Sequence, residues 1–197
     1  MFVRRTATKI KNGRVSNKNR NSKTPNYWNT RQHEIQIDIQ NPGKGYKHFL
    51  KKRDIKQFLD ILPDKEKISI ELDAIVLAEG NEICDGWYRN GVICICAWEK
   101  EMSREMGHRY FEDHKDLFDR LDVKYTIKKD YVICDFNENQ IKAFQLLRVM
   151  THEIGHHIDR IRTRSRKSCP RGEVFAFKFE KAYERKLWNK YFEYFPY

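Results

Sequence analysis

The chain has 197 residues, 40% of them hydrophobic, which is enough for one core and too few for two. Charges interrupt every apolar run before it reaches the length of a membrane span, which argues against an integral membrane protein. The net charge of +11 is concentrated at one end: residues 1–32 hold nine Lys and Arg and no acid, leaving 30 of the 39 basic residues against all 28 acidic ones. The first 32 residues therefore read as a basic, disordered arm that cannot bury enough apolar surface to fold alone, and 33–197 as one domain. Such an arm can touch nucleic acid or simply keep the chain in solution.

In chain order, "HEIQIDIQ" alternates strictly and predicts a first strand carrying Ile35, Ile37 and Ile39 on one face. "YKHFLKKRDIKQFLDIL" has near-helical spacing of Phe49, Leu50, Phe58, Leu59 and Leu62, with Pro63 after it. "KISIELDAIVLAEG" reads as a second strand. "CDGWYRNGVICICAW" reads as a hairpin turning at Asn90-Gly91, with Val92–Trp98 as its second arm. Residues 99–122 are charge-rich and predict a helix split at Gly107; "VKYTIKKDYVICDF" predicts another hairpin. Asn137 or Asp135 caps a long helix over about 138–162, and a last amphipathic helix runs from Glu173 to about Tyr191. The order predicts an α+β fold, a small mixed β-sheet packed on helices.

Five scattered cysteines without an apolar leader point to reduced thiols and a cytoplasmic setting, and Cys94 and Cys96 read as small buried residues of a strand.

The chemistry concentrates in "MTHEIGHHIDRIRTRSRKSCPRGEVFAFKFEKAY". His152-Glu153-Ile154-Gly155-His156 fits H-E-x-x-H. Imidazoles at i and i+4 stack on one helix face and can share a cation, while Glu153 beside them is placed to act on a water. Asp159, at i+7 from His152, is a candidate to accept a hydrogen bond from a ligand histidine. A catalytic zinc needs a third ligand, and the following helix offers Glu173 first and Glu180 in reserve, with Ala176 and Phe177 allowing close helix packing. His157 lies off the ligand face and reads as a packed or solvated residue.

"HEIGHHID" followed by "GEVFAFKFEKAY" resembles the gluzincin branch of the zinc metallopeptidases. It is most similar to the lethal-factor-like group, and also resembles minimal single-domain gluzincins and mobile-element peptidases that cleave phage-type repressors. The resemblance covers about residues 138–185. It implies a zincin-like fold, Zn2+ held by His152, His156 and Glu173, and Glu153 as general base of an endopeptidase. That group often places a Tyr between Asp159 and Glu173 as oxyanion stabiliser; none lies there, so Tyr183, His157 or an arginine of the basic loop would serve instead, with Arg164, Arg166 and Tyr183 as candidates to contact substrate. An edge strand, expected at Val92–Trp98, would pair with an extended protein or peptide substrate. If the basic loop walls the cleft, that substrate is acidic or nucleic-acid-associated. Two rival readings stand beside this one. The first is a nucleic-acid-binding or regulatory protein with a structural or vestigial zinc site; the second is an enzyme blocked by Cys169 or by the arm.

Overall fold

A computed structural model describes residues 26–163 and 169–196, together with the backbone of 10–11 and 14–15. The last two form a short antiparallel ladder, β1 (Ile10–Lys11) with β2 (Arg14–Val15). The fold is α+β. Its centre is a four-stranded mixed sheet in the order β3 (Gln36–Ile39), β5 (Ala74–Ala78), β7 (Val92–Cys96), β6 (Gly86–Arg89), numbered around the short β4 (Tyr46–Lys47). The first three run parallel and β6 returns antiparallel to β7. Asn90 and Gly91 turn that hairpin, both at positive φ (48° and 92°), as the Asn-Gly pair predicts.

Every residue of β5 and of β7 is buried. Ile75, Leu77, Ile93 and Ile95 join the main core under the helices, while Ala74, Val76, Ala78, Val92 and Cys94 form a thinner layer on the other face. Cys94 and Cys96 are thus the buried strand residues expected of them. Val92–Cys96 is not the edge, however. It lies between β5 and β6, and a segment with no charge on either face is what a central strand looks like. The edge beside the long helix is β6.

Helix α1 (Lys52–Ile61) buries Ile55, Phe58, Leu59 and Ile61. The expected strand beginning at Lys67 starts instead as a helical turn, α2 (Lys65–Ser69), and extends only from Ala74. The charged stretch 99–122 divides as Gly107 suggests, but its first part is extended. β8 (Trp98–Glu99) pairs with β4, and β9 (Ser103–Met106) precedes α3 (His108–Arg120). β9 joins the hairpin of β10 (Lys124–Ile127) and β11 (Val132–Asp135) in a second, three-stranded antiparallel sheet.

The long helix appears where expected, as α4 (Glu138–Phe144), a π-helical turn (Gln145–Met150) and α5 (Thr151–Ile161). Asn137 caps it: its side chain accepts from Gln140 N–H at 2.9 Å, and its own N–H donates to Gln140 Oε1 at 2.7 Å. Gln145 Nε2 donates to the Cys96 carbonyl at 2.9 Å, tying the π turn to the end of β7. The last helix, α6 (Gly172–Tyr194), packs along α5.

The expected start of the domain at residue 33 moves earlier. Trp28 stacks on Trp87 with ring centroids 5.4 Å apart, and Tyr27 donates to Asp38 at 2.7 Å. Arg31 pairs with Glu71 and Asp73 at 2.7 and 2.8 Å. Aromatic rings at 27 and 28 give this stretch the apolar area that the rest of the arm's composition lacks. Among the described residues no helix is long and apolar enough to cross a membrane.

Candidate active site

Three side chains predicted from the sequence come together. His152 Nε2 lies 3.0 Å from Glu173 Oε2 and 3.1 Å from His156 Nε2, and His156 Nε2 is 3.3 Å from Glu173 Oε1. One ligand atom from each falls within 4.8 Å of the others. The two rings come from one helix face, a turn apart. Glu173 arrives because α5 and α6 cross closely at Ala176, as expected; the residue it meets there, Gly155, was not among those expected. Phe177, the other residue expected at that crossing, faces outward.

Asp159 performs a different task from the one expected. It is fully buried, and its carboxylate accepts from Arg171 N–H (2.8 Å), Arg171 Nε (2.7 Å) and Gly172 N–H (3.1 Å). It anchors the start of α6, one residue before Glu173, where backbone N–H groups lack helical partners. The carboxylate that meets His152 from behind is Glu180, whose Oε2 lies 2.7 Å from Nδ1. In the neutral ring with the proton on Nδ1, Nε2 is the nitrogen free on the side of His156 and Glu173. Glu180, the reserve candidate, therefore contacts the far nitrogen of His152 instead of joining the three. The helical spacing placed Glu180 on the correct face; the rotation of α6 about its axis decided which ring nitrogen it meets.

Glu153 is buried in the same cleft. Burial pushes its carboxyl up to about 8; His152 draws it back, and Glu173, Glu180 and Asp85 push it further up. Burial opposes charging of His152, yet Glu180, Glu153 and Glu173 outweigh it and the ring's pKa is raised. His156 moves the other way, lowered by burial and by His152.

The cleft has a volume of about 1080 Å3. One wall is the loop 81–85 and β6, the other runs from Arg104 through Tyr110 to His114, and the floor is the helix carrying Val149, His152, Glu153 and His156. β6 comes close because residue 86 is glycine: a β-carbon there would lie 2.7 Å from Val149 Cγ1 and 2.8 Å from the Cys94 carbonyl oxygen. The Glu173 side chain keeps 81% of its surface open, so the three donors face solvent on that side.

The remaining sequence candidates separate. His157 is buried as a packed residue: its Nε2 contacts the Ile68 and Ile70 carbonyls at 3.0 Å, and its Nδ1 the Tyr88 hydroxyl at 3.1 Å. Tyr183 does not line the cleft; it is buried and stacks on Phe179 at 4.0 Å, so it is not placed to touch a substrate there. Arg164 and Arg166 lie outside the described residues. The described cleft wall is acidic rather than basic. Arg104 is held by Asp85 and Glu99, Arg148 by Glu180 and Glu184, while Glu82 and Glu105 stand exposed on the lining. Arg148 and the β6 wall went unrecognised in the sequence. The available signals were an arginine four residues before His152 and a short aromatic strand, "GWYR", ahead of the Asn-Gly turn.

No protein-family model, curated protein or solved structure matches the chain.

Proposed function

We propose that the chain is a zinc-dependent peptide hydrolase of the gluzincin type. One observation carries the reading: two imidazoles one helical turn apart and a carboxylate from the next helix converge in a cleft that also holds a buried glutamate. The donor set suits the metal, since two neutral nitrogens and one carboxylate leave a fourth position for water. The Nδ1–H bond of His152 to Glu180 supports it further, because that tautomer frees Nε2.

His152, His156 and Glu173 would hold the ion. When bound, zinc supplies a Lewis acid for a peptide carbonyl and brings the pKa of water toward neutrality. Glu153 takes the proton from the attacking water and delivers it to the departing amine nitrogen; burial brings this carboxyl's pKa to about 8, close enough to neutrality for it to accept the proton in one transfer and release it in the next. The antiparallel strand β6, at the rim of the sheet, offers an extended peptide a line of backbone partners along the cleft.

The test is metal content together with Glu153→Gln. Purified protein should carry one zinc per chain by elemental analysis, the variant should keep it, and hydrolysis of a mixed peptide library should fall by about 100-fold or more in the variant. Protein that takes up no zinc, or a variant that cleaves as fast as the parent, would sink the reading.

A further inference from the structure

We infer that Arg148 is a positioning residue for the metal centre, acting through Glu180 on His152. This rests on the peptidase reading of the same site. Arg148, His152 and His156 follow at four-residue steps, so the arginine precedes the first proposed ligand by one turn. Its side chain is 1% exposed. Arg148 Nη1 pairs with Glu180 Oε1 at 3.2 Å, and Glu180 Oε2 accepts from His152 Nδ1 at 2.7 Å. The other end of the guanidinium pairs with Glu184 at 2.6 Å and with Asp116 at 3.2 Å.

A buried cluster of this kind gives little net stability, since replacing all of its members by apolar side chains is often neutral or stabilising, whereas removing the arginine alone strands the carboxylates around it. The charge therefore calls for another explanation, and the geometry supplies one. Glu180 is 2% exposed and has two oxygens. With Oε1 engaged by Arg148, only Oε2 is directed at the ring, and its carboxylate faces Nδ1 as an acceptor. The guanidinium spreads its two ends, Nη2 on Glu184 and Asp116 and Nη1 on Glu180 Oε1, and so holds Glu180 from a fixed position that a single flexible ammonium does not reproduce. The chain Arg148–Glu180–His152 thus fixes both the rotation of the first imidazole and the nitrogen left to bind metal.

The experiment compares three substitutions in the full chain, using zinc in competition with a chromogenic chelator, Co2+ absorption, and far-UV circular dichroism with urea unfolding. Arg148→Met should bind zinc about 10- to 100-fold more weakly and shift the Co2+ bands. Arg148→Lys, which restores a positive charge without the fork, should recover part of the affinity. Glu184→Gln removes a buried partner of the same arginine that does not touch His152; it should lower stability while zinc affinity stays at the parent value. Should Arg148→Met not fold, Arg148→Lys decides: affinity and Co2+ bands equal to the parent's overturn the inference, and a loss supports it. Equal losses in the Arg148 and Glu184 variants would make the cluster merely structural and overturn it too. Parent protein that binds no zinc would instead defeat the peptidase reading itself.

Discussion

Gly155 lies so close to Ala176 that a β-carbon at position 155 would sit 2.8 Å from the Ala176 Cα and 3.2 Å from the Phe179 Cβ. Two effects of Gly155→Ala oppose each other. Alanine is the better helix former by about 1 kcal/mol. The collision involves a backbone atom that cannot swing aside, and overpacking of this kind costs about 1–3 kcal/mol. The collision should win. Because Glu173 lies one turn before Ala176, forcing α6 outward also pulls the carboxylate from the two rings. The expected result is a lower urea midpoint in chelator and zinc affinity reduced about tenfold or more. A variant that is more stable and binds zinc as the parent does would show that the crossing does not set the site.

Asp159→Asn tests the start of the same helix. The amide can still accept one hydrogen bond, but its NH2 then faces an N–H donor, and the Arg171 ion pair is lost. A buried donor left unmatched costs about 1–3 kcal/mol. Thermal unfolding should show that loss, and calorimetry should show weaker zinc binding, since Glu173 follows the unpinned residues directly. A stability loss with unchanged zinc affinity would assign Asp159 to the fold alone.

What the sequence disclosed follows from locality. The H-E-x-x-H spacing is internal to one helix, the Asn90-Gly91 turn to one hairpin, and the Asn137–Gln140 cap to four residues, and all three are found. What it concealed depends on distant segments. The place of Val92–Cys96 in the sheet is set by β5 and β6 pairing on either side, although the absence of charge on both faces of "VICIC" was a usable sign. That Glu180 rather than Asp159 meets His152 depends on how α6 is rotated against α5. Periodicity fixes which face a residue occupies and leaves that rotation open. Tyr27 and Trp28 were assigned with the charges around them, yet their rings find Asp38 and Trp87 across the sheet.

His114 gives a pH dependence of known sign. Burial, then Arg148 nearby, lowers its pKa to about 4, against 6.5 for the free side chain, and its Nδ1 is buried without a hydrogen-bond partner. The unfolded chain therefore binds a proton below pH 6.5 that the folded chain refuses until about pH 4. Stability is full above 6.5 and is lost as pH falls through that window, by up to about 3 kcal/mol. His114→Phe has no such proton to bind. The stability of His114→Phe minus that of the parent should grow steadily from pH 6.5 to 4 in urea titrations with chelator present. A difference that stays flat across the window would show that the ring charges freely in the fold.

Glu153 should show the opposite sign, and with it a conflict between stability and chemistry. Its folded pKa, about 8, lies above the value of 4.5 for the free carboxyl, with burial as the main cause. The folded state thus favours the protonated acid. Its contribution is fully present below pH 4.5 and is lost as pH rises toward 8, where the unfolded chain ionises freely and the buried carboxylate does not. Glutamine keeps the shape and cannot ionise. In chelator, Glu153→Gln should match the parent near pH 4 and exceed it at pH 8 by about 1–3 kcal/mol, the sign commonly found when a buried functional charge is removed. Zinc should narrow the gap, because a cation held by His152, His156 and Glu173 stabilises the neighbouring carboxylate. Differential unfolding at both pH values, with and without zinc, measures all four quantities. A metal-free variant no more stable than the parent at pH 8 would mean that Glu153 is as well solvated as a surface carboxylate, and the high proton affinity assigned to it would have to be withdrawn.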